Sequence, residues 1–361
     1  MSTNHFNYFR VKNFKRFKDL EVKDIGQFNL VLGDNNVGKT SLLEALMWEP
    51  VEENIENHFE TVVTSRFLKY LIKSYSFKNY GEPLTFLEYF SNLDERENNS
   101  IEIGSSKSDE STETYVIKSN NTVTVRYLGE LEFGVLSKKS KDFHFLDEKS
   151  KKDDQILAKK VDVSEVLNHT IVPLLPFHRS YDEEITEFYL DQIQGNRSLK
   201  NKYVSNLRRL FDEIDDLEPS IKGKHKTLLI NRSTSNFSVP LGYFGEGTIK
   251  MAKILSYLIK FRDKKLMIDE IDTGLYYARM RDYWKVILQS ADENNVQLFA
   301  TTHNRECMEA FRSALDELGE EFTSRSRSIT LKQSPKTGDV IAFTNSFEVL
   351  DDALEVGNDL R

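Results

Sequence analysis

The chain has 361 residues, of which 39% are hydrophobic and 30% are charged, shares that are typical of a soluble globular protein with a sizeable core. Its 49 basic and 58 acidic residues give a net charge of −9, which excludes a strongly basic surface over the whole protein. A single cysteine, Cys307, excludes an internal disulfide framework and a zinc site made of cysteines. We find no secretion signal at the start and no apolar run of membrane-spanning length, so we expect a cytoplasmic protein with no membrane partner.

Strands are predicted near the start of the chain. Apolar and polar residues alternate in Tyr8–Lys12 and again in Leu20–Lys23, and Asn13–Phe17 interrupts the alternation between them. Gly26 is expected to turn the chain into a third, largely apolar strand that begins at Phe28.

A phosphate-binding loop follows this third strand. The spacing from Gly33 to Thr40 is G-x-x-x-x-G-K-[ST], and a helix is predicted from Lys39 to about Trp48. Glycines let the backbone curl, so that successive N–H groups and the positive end of the helix point at one anion. Lys39 is the candidate catalytic cation for the terminal phosphates, and the Thr40 hydroxyl is a candidate Mg²⁺ ligand. The predicted ATP-binding residues are Gly33, Asp34, Asn35, Asn36, Val37, Gly38, Lys39, Thr40 and Ser41.

The middle of the chain carries elements but few motifs. Glu53–Phe90 is predicted to be mainly helical, and short alternating segments from Ile101 to Val135 predict antiparallel hairpins. The serine-rich stretch Gly104–Thr112 is predicted to be a mobile loop. Lys138–Lys160 is dense in lysine with interleaved acidic residues, and a solvated charged loop is favoured there over a nucleic-acid patch.

Three further elements are predicted before the second set of motifs. Ile171–Arg179 is an apolar strand, Tyr181–Leu217 is a charged helical arm, and Leu228–Val239 forms a hairpin. The small residues of Gly245–Thr248 then open a helix, and such a helix start is a candidate anion site. On its own, this last pattern favours a plain helix cap.

An apolar strand, Lys265–Ile268, ends in the two carboxylates Asp269 and Glu270. In a chain with a phosphate-binding loop this pattern predicts a Walker B motif. Asp269 would hold Mg²⁺ directly or through water, and Glu270 would orient and polarise the attacking water as the catalytic carboxylate. An acidic helix cap after an ordinary strand is the alternative.

A further strand, Val296–Thr302, is predicted to end at His303. Parallel α/β sheets bind ligands at the carboxyl ends of their strands. His303 is therefore predicted to be a catalytic sensor of the γ-phosphate.

The order of these motifs resembles that of the ABC-type ATPase heads of the SMC/RecF group, and most closely that of the OLD-like ATPases. The residues that carry the resemblance are Gly33–Thr40, Gly245–Thr248, Asp269–Glu270, Asp272–Leu275 and His303, together with the N-terminal strand motif Val11–Lys15. The resemblance implies an α/β fold with a mixed, mainly parallel central sheet flanked by helices, an antiparallel β subdomain and a helical lobe.

The resemblance also implies how the chain is divided and assembled. Residues 1–361 would form a single head, in which 1–50 carry the P-loop half and 228–361 carry the signature, Walker B and His-switch half. Residues 51–227 would be an inserted helical and β-hairpin region with a helical arm. Heads of this type form homodimers or higher oligomers, with ATP and Mg²⁺ between the P-loop of one subunit and the signature of the other. The signature residues acting in trans would be Gly245, Glu246, Gly247 and Thr248.

Neither a Toprim nuclease nor a long coiled coil is recognisable in this sequence. In this respect the chain resembles the ATPases of PARIS-type and Septu-type bacterial antiviral systems, whose effector is a separate chain. The resemblance implies an ATPase switch that controls an effector such as a Toprim or HNH nuclease. The alternative is an SMC/RecF-like DNA-repair ATPase, and whether DNA is bound stays open. A transport ATPase is disfavoured by the N-terminal strand motif.

Overall fold

The computed structural model describes residues 5–47, 100–107, 113–118, 122–127, 129–136, 143–145, 159–161, 174–175, 182–222, 225–232 and 235–357. The helical segment predicted over Glu53–Phe90 lies outside these ranges. The strands are β1 (Phe6–Phe14), β2 (Phe17–Val22), β3 (Phe28–Gly33), β4 (Ser100–Lys107), β5 (Glu113–Lys118), β6 (Thr122–Tyr127), β7 (Gly129–Leu136), β8 (Phe143–Phe145), β9 (Lys159–Val161), β10 (Leu174–Leu175), β11 (Asp216–Lys222), β12 (His225–Asn231), β13 (Val239–Pro240), β14 (Lys265–Ile268), β15 (Gln297–Thr301), β16 (Ser326–Gln333) and β17 (Val340–Asn345).

The helices carry a separate numbering. The α-helices are α1 (Lys39–Leu46), α2 (Asp182–Phe188), α3 (Arg197–Leu210), α4 (Glu246–Lys260), α5 (Met280–Glu293), α6 (Arg305–Leu318), α7 (Glu320–Thr323) and α8 (Phe347–Glu355). A π-helical turn over Tyr189–Ile193 continues α2. Single 3₁₀ turns cover Leu241–Tyr243 and Tyr277–Arg279. No helix in the described part of the chain is both long and apolar enough to cross a bilayer.

A six-stranded sheet forms the centre of the molecule, in the order β10-β14-β15-β3-β16-β17. The first five strands of this order are parallel, and β17 pairs antiparallel with β16. The predicted P-loop strand, Walker B strand and His303 strand are confirmed as β3, β14 and β15. Because β14, β15 and β3 are parallel neighbours, Ile268, Thr301 and Gly33 end at the same edge of the sheet.

Both faces of this sheet are covered. On β3, Leu30 and Leu32 join a core with helices α3 to α6, whereas Val31 joins a second core that contains residues of β1, β2 and α1. On β14, Leu266 belongs to the first core and Met267 to the second. Successive side chains of a strand point to opposite faces, so a sheet covered on both sides needs nearly continuous apolar strands.

An eight-stranded antiparallel sheet has the order β2-β1-β4-β5-β6-β7-β8-β9. The predicted hairpins are confirmed, since β4 to β7 pair in succession as antiparallel neighbours. The prediction of a loop over Gly104–Thr112 is wrong at its start. Gly104 pairs with Arg10 and Thr114, and β4 continues to Lys107. The charged stretch Lys138–Lys160 is not simply a loop, since its described part includes β8 and most of β9.

The predicted helical arm, Tyr181–Leu217, is confirmed over α2, the π-helical turn and α3, but it is wrong at its carboxyl end. Leu217 lies in β11, where it pairs with Ile230 of β12, and both side chains are fully buried. Burial of this apolar pair outweighs the helical pattern of the preceding residues. The pairing of Ile230 with Val239 confirms the predicted hairpin and adds β13 to a three-stranded sheet.

The one cysteine of the chain, Cys307, lies in α6 with no exposed surface. Burial raises the pKa of its thiol to about 12. The thiol is therefore uncharged at neutral pH and packs as a small apolar group.

Candidate nucleotide-hydrolysis site

The loop between β3 and α1 requires glycine at both ends. Gly33 and Gly38 have φ angles of 141° and 109°, which L-residues rarely adopt. A Cβ on Gly33 would lie 2.5 Å from the carbonyl oxygen of Leu331, and one on Gly38 would lie 2.9 Å from ring atoms of Phe17. The neighbouring strands β16 and β2 therefore exclude any other residue at these positions.

The remaining predicted P-loop residues differ in how far they are exposed to solvent. Asp34, Asn35 and Asn36 are exposed on the loop, and Val37 is buried against the second core. The last two, Thr40 and Ser41, lie in the first turn of α1 with Lys39, where Thr40 is exposed and Ser41 is half-buried. Free N–H groups at the start of α1 and its dipole favour an anion in this loop.

The Lys39 side chain folds over the loop. Its ammonium donates hydrogen bonds of 2.7 Å to the carbonyl oxygen of Gly33 and 2.9 Å to that of Asp34. Burial lowers the pKa of Lys39, while the nearby carboxylates of Asp269 and Glu270 act in the opposite direction. The cation of the P-loop and the two carboxylates that directly follow β14 are thus close enough to interact electrostatically.

The Thr40 hydroxyl and the Asp269 carboxylate are joined directly, although 229 positions separate them. The Thr40 Oγ1 donates a 2.9 Å hydrogen bond to Oδ2 of Asp269, and Oδ1 of Asp269 accepts a 2.6 Å hydrogen bond from Thr301. A hydroxyl and a carboxylate are the oxygen ligands that suit Mg²⁺. No group of three or more potential metal ligands of the His, Cys, Asp or Glu type occurs in the described ranges.

Glu270 follows with an unusual backbone. Its φ angle of 46° lies in the left-handed region, which is costly for a residue with a side chain. The Glu270 N–H donates a 2.8 Å hydrogen bond to Thr301 Oγ1, and Oε2 of Glu270 accepts one of 3.3 Å from the Thr273 hydroxyl. The strained conformation is therefore held from two sides, at the backbone and at the side chain.

His303 is exposed and follows the last residue of β15 by two positions. Between them, Thr302 donates a 2.8 Å hydrogen bond to Oδ1 of Asp272 and accepts one of 3.0 Å from the Asn304 N–H. His303 therefore stands at the same sheet edge as the P-loop and Asp269.

The predicted signature residues, Gly245–Thr248, lie at the start of α4. Gly245 precedes α4 with a φ angle of 94°, and Glu246 is exposed in the first turn of that helix. A Cβ on Gly247 would lie 3.1 Å from the carbonyl oxygen of Gly274, and Thr248 is buried. In this subunit the signature thus packs on the loop after Glu270.

Three supporting residues were not singled out from the sequence. Thr301 joins Asp269 to Glu270, and its position as a polar residue at the end of an apolar strand is the signal that could have identified it. Lys250 donates to two backbone carbonyls of the Walker B turn, and its charge on a mostly apolar helix is a comparable signal. Lys15 forms an ion pair with the buried Glu44 of α1, a contact that no local pattern predicts.

The chemistry of the site follows from these contacts. Lys39 and the P-loop N–H groups can supply positive charge for phosphates, Thr40 and Asp269 can supply oxygen ligands for Mg²⁺, and Glu270 can accept a hydrogen bond from water. These groups lie at one edge of the sheet, where open α/β proteins bind nucleotides.

Comparison with known proteins agrees with this chemistry. An "ATP/GTP phosphatase" of Helicobacter pylori is 23% identical over 360 residues, covering 90% of this chain and 91% of that protein. The SMC head bound to the C-winged helix domain of ScpA matches with a TM-score of 0.52 at 12% identity, covering 96% of this chain and 99% of that one. An SMC head domain from Thermotoga maritima matches at 10% identity with a TM-score of 0.46, covering 95% and 99%.

The likeness to the ScpA-bound SMC head shows the fold, an α/β P-loop ATPase head with a mixed sheet flanked by helices and additional antiparallel sheets. The family model described as "AAA domain, putative AbiEii toxin, Type IV TA system" matches residues 28–309, which run from β3 into α6. The chain therefore belongs to this AAA-domain family, and it is an ATPase.

Proposed function

We propose that this ATPase is the Mg²⁺-dependent switch subunit of a bacterial antiviral defence system and controls a separate effector. The observation that carries the catalytic part is the Thr40–Asp269 hydrogen bond, because it brings the two candidate metal ligands together beside Glu270. Bound Mg²⁺ would neutralise phosphate charge during transfer to water.

The residues of this chain then have separate roles. Lys39 and the N–H groups of the P-loop hold the phosphates, and Thr40 and Asp269 hold the metal ion. Glu270 orients the attacking water and accepts its hydrogen bond. His303, exposed at the end of β15, contacts the γ-phosphate and distinguishes ATP from ADP.

Assembly completes the proposal. The start of α4, where Gly245 and Glu246 are exposed, would receive the nucleotide of a second subunit. Tyr243 and Tyr276 lie near this region in the chain and are 82% and 60% exposed. Large aromatic side chains that are exposed to this extent favour a protein–protein interface at this surface. ATP would then stabilise a head-to-tail dimer by mass action, and hydrolysis would loosen it.

One observation supports the defence role, because the family description names an AbiEii toxin and a type IV TA system. The name of the Helicobacter pylori relative, a phosphatase of ATP or GTP, supports nucleotide hydrolysis. The effector we propose is a separate Toprim or HNH nuclease. We also retain the division into a P-loop half (1–50), an inserted region (51–227) and a signature and Walker B half (228–361).

The second candidate is an SMC/RecF-like DNA-repair ATPase, and the SMC-head fold is the observation that favours it. A net charge of −9 opposes it, since phosphate contacts with DNA need clustered lysine and arginine. Stimulation of ATP turnover by double-stranded DNA, with a steep dependence on salt, would favour this candidate over the first.

Light scattering tests the assembly, and phage challenge tests the role. We expect Glu270→Gln with ATP and Mg²⁺ to double in mass and Tyr243→Asp to prevent the increase, whereas Val356→Asp, at a 72% exposed apolar position directly after α8, leaves it unchanged. A mass that does not respond to ATP contradicts the shared site.

Cells that carry the chain with its flanking genes should lose protection from phage when Lys39 or Glu270 is replaced. Protection that survives both replacements contradicts the defence role.

A further inference from the structure

Lys250 lies in the second turn of α4, the helix that begins at the signature residues. Its ammonium donates hydrogen bonds of 2.8 Å to the carbonyl oxygen of Glu270 and 2.7 Å to that of Thr273. A lysine of the signature helix therefore bridges both ends of the turn that carries the candidate catalytic carboxylate.

This turn needs support. Glu270 has its left-handed φ angle of 46°, and such strain persists only where the surroundings fix the conformation. The sheet supports one side, because the Glu270 N–H donates to Thr301. Within the turn, the Thr273 N–H donates a 3.1 Å hydrogen bond to the Glu270 carbonyl oxygen. Lys250 supplies the contacts from the helix side.

The start of the same helix touches the loop beyond the turn. Gly247 is so close to Gly274 that an added Cβ would lie 3.1 Å from its carbonyl oxygen and 3.7 Å from Leu275. Glu246 lies on the other side, 3.6 Å from the position of a Cβ on Gly274. We therefore expect a displacement of the helix start to move the loop at Gly274 through packing. The same displacement should move the Glu270–Thr273 turn through the hydrogen bonds of Lys250.

The surroundings of Lys250 make these two hydrogen bonds costly to replace. The ammonium is largely buried, and burial lowers the pKa of Lys250 to about 8, against the opposing effect of Asp272, Cys307, Glu270 and Asp269. Without Lys250, the Thr273 carbonyl oxygen would lose the partner that the structure gives it. Thr273 is half-buried, so water can replace the lost hydrogen bond only in part, and the loss destabilises this conformation of the turn.

We propose that Lys250 is a positioning residue for hydrolysis, which links the signature helix to Glu270 and lets contact at the signature set the orientation of that carboxylate. The inference rests on the proposed role of Glu270. It predicts that Lys250 controls the rate of hydrolysis and not the affinity for nucleotide, since the P-loop contacts are made by other residues.

The test uses the full chain with Lys250→Met and, as a matched control, Lys260→Met at the exposed end of the same helix. We expect kcat to fall by about tenfold to a hundredfold in Lys250→Met, because small misplacements of a catalytic group have effects of this size. The Kd for ATP should stay within about twofold, and Lys260→Met should match the wild type. A second readout is hydrogen exchange without nucleotide, in which the amide of Thr273 should exchange faster in Lys250→Met only.

The double variant Lys250→Met with Glu270→Gln separates this inference from the proposed function. If Lys250 acts through Glu270, its replacement should slow Glu270→Gln no further. A slow Glu270→Gln with a normal Lys250→Met overturns the inference alone, whereas a normal Glu270→Gln overturns the proposed role of Glu270. Should Lys250→Met fail to fold, Lys250→Gln keeps a polar side chain at this position, but its amide is one atom closer to the backbone and cannot make both hydrogen bonds of the lysine. A folded Lys250→Gln with wild-type kcat and exchange also overturns the inference.

Discussion

The Thr301 hydroxyl donates a 2.6 Å hydrogen bond to the Asp269 carboxylate. The same oxygen accepts the backbone N–H of the next residue, Glu270, at 2.8 Å. One side chain on β15 thus holds the candidate metal ligand and the candidate catalytic carboxylate of β14. Because Thr301 is fully buried, the hydroxyl has no water to replace these partners.

Replacing Thr301 with valine should therefore disturb both carboxylates while keeping the shape of the side chain. Leaving the N–H of the half-buried Glu270 without this partner should lower the free energy of unfolding by up to about 1–3 kcal/mol. The concentration of Mg²⁺ needed for half-maximal activity should rise on the order of tenfold to a hundredfold, as expected for loss of a residue that orients a metal ligand. Urea unfolding and a Mg²⁺ titration of ATP turnover measure the two effects. An unchanged Mg²⁺ requirement would show that Thr301 does not orient Asp269 for metal binding.

Lys39→Ala should weaken ATP binding, because it removes the one P-loop side chain whose charge lies over the loop. Loss of a charge-assisted contact of about 1.5–3 kcal/mol corresponds to a Kd about ten to a hundred times higher. Isothermal calorimetry measures this change, with Lys264→Ala as an exposed control. Equal affinity in Lys39→Ala and the wild type would contradict the assignment of the P-loop.

Glu270→Gln should bind ATP normally and hydrolyse it slowly. The amide keeps the size of the side chain but cannot accept a proton from water as a carboxylate does, and loss of such a group typically lowers rates about 10²–10⁴-fold. Release of phosphate measured beside Kd separates the two effects, and Glu293→Gln on the exposed end of α5 is the control. A turnover number that matches the wild type would exclude Glu270 from the mechanism.

Lys250 should make stability depend on pH in the alkaline range. Its pKa is about 8 in the folded protein and near 10.5 when exposed, so between these values the unfolded chain binds more protons than the folded one. The contribution of Lys250 to stability should therefore rise with pH across this window, by up to about 1.4 kcal/mol per pH unit. Urea unfolding of the wild type and Lys250→Met at pH 7, 8.5 and 10 measures the difference. A constant difference between the two proteins would show that the lysine does not titrate in this range.

Local spacing predicted the P-loop, the Walker B strand and the His303 strand because each motif is contained in a few consecutive residues. The meeting of Thr40 with Asp269 was also predictable in outline, since parallel strands bring their carboxyl ends to one edge. The left-handed backbone of Glu270 and the two hydrogen bonds of Lys250 were not predictable. They depend on which helix packs beside the turn, and that is decided by tertiary contacts. Leu217 shows the same limit, because its pairing with the distant residue Ile230 places it in a strand instead of a helix.

The burial of Cys307 has a practical consequence for spectroscopy. Because the whole chain contains no other cysteine and this thiol is inaccessible, maleimide reagents should leave the native protein unlabelled. A cysteine introduced at an exposed position outside the proposed interface, such as Val356, would then be the single reactive thiol. Energy transfer between two subunits labelled at that position would follow each ATP cycle without a cysteine-free background having to be engineered.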